Sequence, residues 1–433
     1  MKTYNILVFP CGTEVANEII NSLKNHKYFK IKLASSERMS YCNFHNQKIY
    51  ILPYVTDDKF IGDLKEVVDS ESIDFIIPAH DDVAFALNHI EKAMNVNVIG
   101  QNSAINEIVR FKDKTYDYFK NILPIPDIYD KEEDVIFPIF VKPKKGQGSQ
   151  DSFLIKDSRK FKHFKDQYSI DKFVWMEYLS GNEFTIDCFS DKGNLLYAGG
   201  RTREKMTRGI SVQSTFVNDK ALQEQFQNFA NIISQKLMLH GLWFYQMKLD
   251  KNGKLKLLEI GPRVSGTMML NRSRGVNFVE LALFQKLGFP VEVTFNDIEI
   301  SLGRALVPKY KTNIKYENLY IDFDDTLFLD EKYINTDLMK LIFQAKNKNK
   351  NVYLITKNKK NNLTKALHKF GISHVFDDIL HIRDLDKKVD YMKKSSVLID
   401  DSFQERREAI DSGLYAFGND AIEMLILNSR IKK

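Results

Sequence analysis

The chain has 433 residues, which is long for a single hydrophobic core and predicts two or three domains. Hydrophobic residues make up 43% and charged residues 28%, a balance that is typical of globular packing and excludes long disordered tails. The formal charge of +6 arises from nearly balanced bases and acids without a basic tail. We therefore expect no nucleic acid as the main partner, and local positive sites for phosphates instead.

Three widely separated cysteines without CxxC spacing predict neither a disulfide framework nor a zinc site, and they fit a reducing, cytoplasmic compartment. The N-terminal apolar run is too short for a signal peptide. No stretch reaches the ~18 apolar residues of a membrane span, so we expect no membrane contact.

The first hundred residues alternate strand and helix patterns. A short apolar run at 5–10 is followed by a turn at 11–13 and by apolar residues at helical spacing over 14–23, and "IDFIIPAHDD" at 73–82 repeats a buried strand that ends in polar residues. Such alternation predicts a parallel sheet with its site at the carboxyl ends of the strands. We predict a Rossmann-like domain over residues 1–105. No GxGxxG follows the first strand, so a dinucleotide cofactor is not indicated.

The pattern changes near residue 135, where period-2 stretches joined by glycine-containing turns begin. They predict a mainly antiparallel sheet in an α+β domain over residues 106–308. A polar, basic stretch without periodicity predicts a linker at 309–318, and a third unit of α/β type follows at 319–433. The predicted fold class is therefore α/β and α+β multidomain.

The segment "KPKKGQGSQ" at 142–150 follows an apolar strand and places two glycines beside three lysines. Glycines let backbone N–H groups approach phosphate oxygens, and lysines neutralise the phosphate charge. An ordinary basic hairpin turn is the alternative interpretation of this segment by itself.

Two further segments place oxygen ligands on sheet faces. In "MEYLSGNEFTIDCF", period-2 alternation puts the carboxylates on one face of a strand. In "WFYQMKLDKNGKLKLLEIGPR", Gln246 and Glu259 can lie across neighbouring strands of a hairpin, which predicts a Mg²⁺ site beside nucleotide phosphates. The alternative for Glu259 is a cross-strand pair with Lys248 or Lys256.

Four ordered segments, "FKDKTYDYF", "FVKPKKGQGS", "MEYLSGNEFTID" and "LEIGPR", together resemble the ATP-grasp superfamily in its carbamoyl-phosphate-synthetase-like, carboxylate–amine ligase branch. The resemblance covers nearly all of residues 1–308. It implies a Rossmann-like pre-ATP-grasp domain, an ATP-grasp fold, and ATP with Mg²⁺ as cosubstrate and cofactor. Ligases of this type are often dimers, so a homodimer is an expectation from the resemblance.

The resemblance also assigns roles to matching residues. Contacts to ATP are implied for Lys114, Lys142, Gly146, Gly148, Ser149, Glu177 and Glu183. The lysines would hold the phosphates under the glycine loop, Glu177 would lie at the adenine hinge, and Glu183 would bind the ribose. Gln246 and Glu259 would bind Mg²⁺. Arg263 would face the γ-phosphate and the substrate carboxylate.

Two points in this stretch need separate mention. Arg201 and Arg203 resemble the substrate-side arginines of the family, with solvated strand charges as the alternative. Gly261 stands where the family pattern E-I-N-P-R has a metal-binding Asn. A second Mg²⁺ would therefore lose a side-chain ligand.

Acidic residues end another apolar strand at "YIDFDDTLF". Asp322 and Asp324 are two residues apart, so both point to one side of the chain. Two such carboxylates repel each other unless a cation lies between them or one holds a proton, and Mg²⁺ with acid–base chemistry satisfies both conditions. An acidic loop that binds calcium or stays solvated is the alternative.

Three more segments follow in order: "VYLIT", which ends at Thr356; "DKKVDYM", which supplies Lys387 or Lys388; and "SVLIDDS", which ends at Asp400 and Asp401. With the preceding acidic segment they resemble the four motifs of the haloacid dehalogenase (HAD) superfamily. The resemblance implies a HAD-like Rossmannoid domain, and the short spacing between the segments predicts that no large cap is inserted.

This second resemblance implies a Mg²⁺-dependent phosphatase. Asp322 would form an aspartyl phosphate, and Asp324 would protonate the leaving oxygen and then activate water. Thr356 and the lysine near 387 would hold the phosphoryl oxygens. The metal ligands would come from Asp322, Asp324, Asp400 and Asp401.

The two resemblances predict a bifunctional enzyme. The ligase would join a small-molecule carboxylate to an amine, with or without a phosphate group, through an acyl phosphate, and the phosphatase would trim its product or a substrate. One alternative is an ATP-grasp phosphotransferase fused to a phosphatase. Another is a degenerate ATP-binding module that regulates the phosphatase.

Overall fold

The computed structural model describes residues 2–38, 42, 47–87, 91–146, 148, 150–207, 209–308, 310, 312–358 and 360–426. Contacts divide these residues into two compact units, with the division between Leu306 and Val307. The predicted domains 1–105 and 106–308 thus share one compact unit, which ends two residues before the predicted boundary. Among the helices of the described residues, none has the length and apolar character needed to cross a bilayer.

A five-stranded parallel sheet opens the first unit. Its strands are β1 (Tyr4–Phe9), β2 (Phe29–Ser35), β3 (Ile49–Ile51), β4 (Phe75–Pro78) and β5 (Asn97–Val98). The helices of this part are α1 (Glu14–Ser22), α2 (Phe60–Ser70), α3 (Asp81–Leu87), α4 (Glu91–Met94), α5 (Ser103–Arg110) and α6 (Lys112–Phe119). In the strand order β3-β2-β1-β4-β5, β2 and β3 are added on one side of β1, and β4 and β5 on the other. The carboxyl ends of β1 and β4 therefore border a crevice.

The first helix begins at this crevice. The side-chain oxygen of Thr13 accepts a hydrogen bond from the backbone N–H of Ala16 at 3.1 Å, which caps α1. The cap places Glu14 in the first helical turn, directly after the end of β1. After the neighbouring strand β4, Asp81 is the first residue of α3.

The rest of the first unit is built from antiparallel strands. They are β6 (Ile139–Pro143), β7 (Phe153–Ile155), β8 (Phe173–Glu177), β9 (Glu183–Asp191), β10 (Asn194–Thr202), β11 (Lys205–Thr207), β12 (Ile210–Thr215), β13 (Gly241–Leu249), β14 (Leu255–Gly261) and β15 (Ser301–Gly303). They form sheets of order β7-β6-β8, β10-β9-β13-β14 and β11-β12-β15. The helices are α7 (Ser158–Gln167), α8 (Lys220–Leu237), α9 (Met269–Ser273) and α10 (Phe278–Lys286).

Helix α8 covers one face of the four-stranded sheet. Phe226 on this helix is fully buried, and so are Trp243 and Tyr245 on β13. The phenyl ring of Phe226 lies directly over Gly200 of β10, where a Cβ atom would come within 2.2 Å of the ring. Glycine at this strand position therefore allows the helix to approach the sheet closely.

The second unit is a five-stranded parallel sheet with a small hairpin. Its strands are β16 (Asn318–Ile321), β17 (Phe328–Leu329), β18 (Tyr333–Ile334), β19 (Asn351–Thr356), β20 (Asp378–His381), β21 (Ser396–Ile399) and β22 (Tyr415–Phe417). The helices are α11 (Thr336–Lys346), α12 (Lys360–Lys369), α13 (Phe403–Asp411) and α14 (Ile422–Leu425). Strand β16 begins at Asn318, which the sequence predicted as the last residue of the linker.

The order β20-β19-β16-β21-β22 places the first strand of this unit at the centre of its sheet. Strands β19 and β21 lie parallel to β16 on its two sides, so the order in which strands are added reverses at β16. The residues that follow these three strands therefore meet at one crevice. Between β16 and β19 the described chain forms only the β17–β18 hairpin and α11.

We predict that Gly200→Ala lowers the free energy of unfolding of the first unit by about 1–3 kcal/mol, because a methyl group there overlaps the Phe226 ring in a packed core. Urea unfolding of the full chain measures this change. Gly62→Ala, in α2, is the matched control because its Cβ atom would have no neighbour within 4 Å. A loss of stability in the control equal to that of Gly200→Ala would contradict the prediction.

Candidate functional site

A cleft lies between β6 and β8 on one side and β13 and β14 on the other. The polar and glycine residues that line it are Lys112, Lys142, Gly146, Gly148, Gln150, Ser152, Glu183, Gln246, Lys248 and Glu259. Apolar side chains, among them Phe140, Met176 and Leu258, form another part of its wall.

Lys142 is a buried cation that has only neutral partners. Its Nζ atom donates to the hydroxyl of Tyr116 at 2.7 Å and to the carbonyl of Leu258 at 3.4 Å. Burial lowers the pKa of Lys142 to about 7, and the nearby charge of Lys112 adds to the effect. No described carboxylate forms an ion pair with it, so an anionic ligand would supply the missing charge.

The second lysine of the cleft is Lys112 and not Lys114. Lys112 Nζ donates to the carbonyl of Gly146 at 3.1 Å, and burial lowers its pKa. Lys114 is half exposed, forms an ion pair with Glu107 and is absent from the cleft lining. Residues two apart on a helix face opposite sides, so only one of these lysines can face the cleft. We correct the assignment from Lys114 to Lys112.

The signal for Lys112 was present in the sequence. Tyr116 and Phe119 on α6 are buried, and they lie four and seven residues after Lys112, on the same helical face. The helical periodicity of the buried side chains therefore favoured Lys112 over Lys114.

Gln246 and Glu259 face each other across the β13–β14 pair, and both line the cleft. The alternative, in which Glu259 pairs with a lysine, does not occur within the described part of the chain. Lys248 lies 3.6 Å from a carboxylate oxygen of Glu183, and Lys256 lies 3.3 Å from one of Glu177. The Glu259 carboxylate is thus left for a ligand.

The two predicted nucleotide carboxylates lie in different environments. Glu183 lines the cleft, where it also pairs with Arg203 at 2.8 Å. The side chain of Glu177 turns away from the cleft and accepts a hydrogen bond from the backbone N–H of Asp127 at 3.1 Å. The residues on either side of it, Met176 and Tyr178, line the cleft instead.

The glycine loop lies at the mouth of this cleft. Gly146 and Gly148 line it, whereas Ser149 lies outside the described residues. Gly148 is so close to Gly209 that a Cβ atom on the latter would be 1.9 Å from its carbonyl oxygen. Arg203 donates to the carbonyl of Gly209 at 3.0 Å. The loop therefore contacts the turn between β11 and β12.

The expected substrate-side role of Arg201 requires a correction. Its side chain is 1% exposed, and its Nε atom donates to Asp187 at 3.0 Å while another nitrogen donates to Ser265 at 2.8 Å. It is not solvated, because its guanidinium is buried against Asp187 and Ser265, on the sheet face that also carries Gln246. We assign Arg201 to a buried structural ion pair.

Arg263 follows β14 and is held by the N-terminal part of the same unit. Its guanidinium donates to both carboxylate oxygens of Asp81, at 2.5 and 3.0 Å, and lies 5.3 Å from the centre of the Phe244 ring. Phe244 also explains Gly261, since a Cβ atom there would be 2.2 Å from the ring. The aromatic ring occupies the space that the family's Asn side chain would need.

In the second unit, two carboxylates contact a buried lysine, and a third carboxylate lies near them. Lys388 Nζ donates to Asp322, and also to Asp400 at 2.6 Å. Carboxylate oxygens of Asp322, Asp400 and Asp401 all lie within 4.8 Å of one another. Lys387 is instead exposed and 3.8 Å from Glu408. The structure thus decides between the two candidate lysines in favour of Lys388.

The remaining predicted residues, Thr356 and Asp324, lie at the carboxyl ends of β19 and β16. Thr356 is fully buried at the end of β19, and its hydroxyl accepts a hydrogen bond from the backbone N–H of Asn358 at 2.9 Å. The amide of Asn358 donates to both carboxylate oxygens of Asp324, at 2.6 and 2.8 Å. Asn358 was not predicted, because nothing in the sequence pairs it with Asp324.

The electrostatics of the cluster favour a bound cation. Burial, opposed by Lys388 and assisted by the charge of Asp400, raises the pKa of Asp322 to about 7. Burial also raises the pKa of Asp400. A divalent ion would offset the repulsion between these carboxylates, and oxygen ligands of this kind are those that Mg²⁺ prefers.

Comparisons with known proteins identify the fold of the first unit. Residues 169–301 match a family model described as ATP-grasp in the biosynthetic pathway with Ter operon. None of the curated proteins compared matches the chain. Because this family model covers less than half of the chain, the solved structures carry the fold assignment further.

Many solved structures are similar to this chain, among them the following three. Biotin carboxylase of Campylobacter jejuni, in a β-γ-ATP complex, has 13% identity and a TM-score of 0.55 over 67% of this chain and 72% of that one. The biotin carboxylase domain of Hydrogenobacter thermophilus 2-oxoglutarate carboxylase, solved with MgADP, has 14% identity and a TM-score of 0.57 over 69% of this chain and 73% of that one. L-amino acid ligase of Bacillus licheniformis has 18% identity and a TM-score of 0.54 over 67% of this chain and 76% of that one. The chain therefore contains an ATP-grasp fold.

We predict that nucleotide binding is coupled to proton uptake at Lys142. The free protein holds this lysine largely neutral above pH 7, and a bound phosphate favours its charged form. Affinity for MgADP should fall as pH rises from 7 to 9, by up to about tenfold per pH unit. Calorimetry at pH 8 in two buffers with different ionisation enthalpies measures the uptake. Equal uptake by wild type and Lys142→Gln would contradict the assignment.

Proposed function

We propose that the first unit is an ATP-dependent carboxylate–amine ligase. The observation that carries this proposal is the cleft of the ATP-grasp fold. It contains buried lysines that have no carboxylate partner and, beside them, two side chains that offer oxygen ligands. Lys112 and Lys142 supply positive charge for phosphates, and Gln246 and Glu259 supply oxygen ligands that fit Mg²⁺. ATP with Mg²⁺ is the proposed cosubstrate.

The proposed reaction has two steps. A substrate carboxylate attacks the γ-phosphorus of ATP, which forms an acyl phosphate and releases ADP; an amine then attacks the acyl carbon and releases phosphate with a proton. Mg²⁺ bound with the nucleotide supplies charge neutralisation. Lys142 and Lys112 hold phosphoryl oxygens, and Arg263 stabilises the charge that develops near the carboxylate.

The Glu183–Arg203 pair and the loop at Gly146 and Gly148 close the cleft against water, which would hydrolyse the acyl phosphate. Phe244 fills the place of the second metal-binding side chain, so we propose a single side-chain pair, Gln246 and Glu259, as the protein ligands here.

The ligase proposal is tested by ADP release from the full chain with MgATP and a matrix of carboxylates and amines, each with and without phosphate, followed by mass measurement of products. We expect one combination to give an amide. Lys142→Gln should lower that rate by about 100-fold or more. The matched control is Lys144→Gln, at a half-exposed lysine of the adjoining turn. A stable phosphorylated product formed without an amine would favour a phosphotransferase instead.

For the second unit we propose a Mg²⁺-dependent phosphatase of the HAD type. What supports it is the meeting of Asp322, Lys388 and Asp400 at the carboxyl ends of β16 and β21, with Thr356 at the end of β19. Asp401 completes a donor set that fits Mg²⁺. The absence of a large insertion between the described strands β16 and β19 leaves the crevice open to bulky phosphoesters.

In this mechanism Asp322 attacks the phosphorus and displaces the alcohol, which gives an aspartyl phosphate. Asp324, oriented by Asn358, gives its proton to the departing oxygen and then takes one from the water that hydrolyses the intermediate. Lys388 and Thr356 hold phosphoryl oxygens. Mg²⁺ bound by the carboxylates would neutralise the phosphoryl charge.

We expect Asp322→Asn to lower the phosphatase rate by at least about 1,000-fold, because the nucleophile is lost. ADP release by the ligase should not change, because the ATP cleft is untouched. Hydrolysis of p-nitrophenyl phosphate and a panel of metabolite phosphoesters measures it. Asp325→Asn is the control, since that side chain is exposed. Undiminished hydrolysis by Asp322→Asn would refute the assignment of the nucleophile.

A further inference from the structure

The first turn of α3 carries two carboxylates that contact different parts of the ATP site. Asp81 pairs with Arg263. Asp82, the next residue, accepts hydrogen bonds from Arg110 Nε and Nη2 through one carboxylate oxygen, at 3.2 and 2.8 Å. Arg110 is the last residue of α5, and its side chain is only 9% exposed. Asp82 therefore joins the first turn of one helix to the last residue of another.

Arg110 also contacts the glycine loop of the ATP cleft. Its third nitrogen, Nη1, donates to the carbonyl of Gly146 at 3.2 Å, and Lys112 Nζ donates to the same oxygen at 3.1 Å. A backbone carbonyl oxygen carries partial negative charge, so an unbound one would repel a nearby phosphate group. The two cations neutralise this carbonyl and fix its position.

A second contact joins the same loop to α3. Lys145, the residue before Gly146, has its Nζ atom 3.3 Å from the Asp82 carboxylate and 5.7 Å from the centre of the Phe85 ring. Burial raises the pKa of Asp82, but Arg110 and Lys145 together lower it by more, so the pKa lies below its usual value. Asp82 is therefore charged at neutral pH and binds cations from two different segments.

The position of Arg110 differs from that of the lysines in the cleft. It lines a neighbouring pocket, which shares Lys112, Gly146 and Glu259 with the ATP cleft, and it is not among the described residues that line the cleft itself. Lys112 lines both, so a bound phosphate can draw it away from Gly146. Arg110 then still holds the carbonyl, because its own contacts do not compete with the nucleotide.

We propose that Asp82 and Arg110 are positioning residues that hold the glycine loop in place beside the nucleotide phosphates. Asp82 fixes the direction of the guanidinium fork, and Arg110 fixes the carbonyl of Gly146. This role rests on the proposed nucleotide site of the first unit and is independent of the ligase reaction. It makes the N-terminal parallel sheet part of that site, since one helical turn holds both Arg263 and the glycine loop.

Simple electrostatics and the positioning role predict opposite signs for the loss of Asp82. When charge alone matters, removal of a carboxylate beside a phosphate site strengthens anion binding. An Arg110 side chain released from Asp82 would also reach a phosphate more easily. When the carboxylate instead positions Arg110 and the loop, its removal weakens nucleotide binding, because the loop must then be ordered as the nucleotide binds.

Calorimetric titration of the full chain with MgADP measures this sign. We expect Asp82→Ala to weaken MgADP binding by about 10-fold, as the loss of a charge-assisted hydrogen bond does. Arg110→Lys keeps the charge but not the fork that reaches Asp82 and Gly146 together, and it should weaken binding by about 5- to 10-fold. The matched control is Asp63→Ala, which removes a first-turn carboxylate from α2 and should leave the affinity within about twofold.

Hydrogen exchange of the MgADP-bound protein separates positioning from general destabilisation. In Asp82→Ala, the peptide that contains Gly146 should exchange at least about fivefold faster than in the wild type, whereas peptides of α8 should exchange at the wild-type rate. An ion pair with a purely structural role would instead lower the free energy of unfolding in urea and leave both MgADP affinity and exchange of the loop unchanged.

The positioning role is overturned if Asp82→Ala binds MgADP as tightly as the wild type or more tightly, if Arg110→Lys binds as the wild type does, or if exchange at Gly146 is unaltered. Failure of the wild type to bind MgADP would reject the nucleotide site and this role together. Weaker MgADP binding by both variants, in a protein that forms no amide, would retain the role and reject the ligase.

Discussion

The antiparallel register of β13 between β9 and β14 is the constraint on which the ATP cleft depends. It sets Gln246 opposite Glu259 and, two residues away on the same face, Phe244 opposite Gly261. Because side chains alternate with a period of two, a slip of one residue would turn both pairs to the opposite face of the sheet. The register also fixes the departure from the family pattern, since the ring of Phe244 leaves no room for an Asn side chain at Gly261.

Burial of charge separates structural from functional groups in this protein. A buried ion is costly unless it is paired, and leaving one partner uncompensated costs several kcal/mol. Arg201 meets this requirement inside the protein through Asp187, which is fully buried as well. Lys142 does not, and burial instead lowers its pKa. We interpret such unpaired cations as groups that an anionic ligand completes.

The parallel sheets of the two units follow the same rule of topology. In each, parallel strands lie on both sides of a central strand, and the polar residues that follow them meet at one edge. In the first unit this edge holds Glu14 and Asp81, at the starts of α1 and α3. In the second it holds Asp322 and Asp400, which share Lys388. Charged residues are placed there because the ends of strands can bear them without disrupting the core.

The sequence by itself determined the parts that depend on neighbours along the chain: the alternating strands and helices, the acidic strand ends, and the glycine loop beside Lys142. Periodicity even contained the choice of Lys112, on the same helical face as Tyr116. Only the tertiary structure decided which charges pair, because pairing depends on strand register and on contacts between distant residues. It directed Arg201 to Asp187 and placed Lys388, not Lys387, beside Asp322 and Asp400. Spacing along the chain carries no information on such distances, since two folds of the same segments can bring different side chains together.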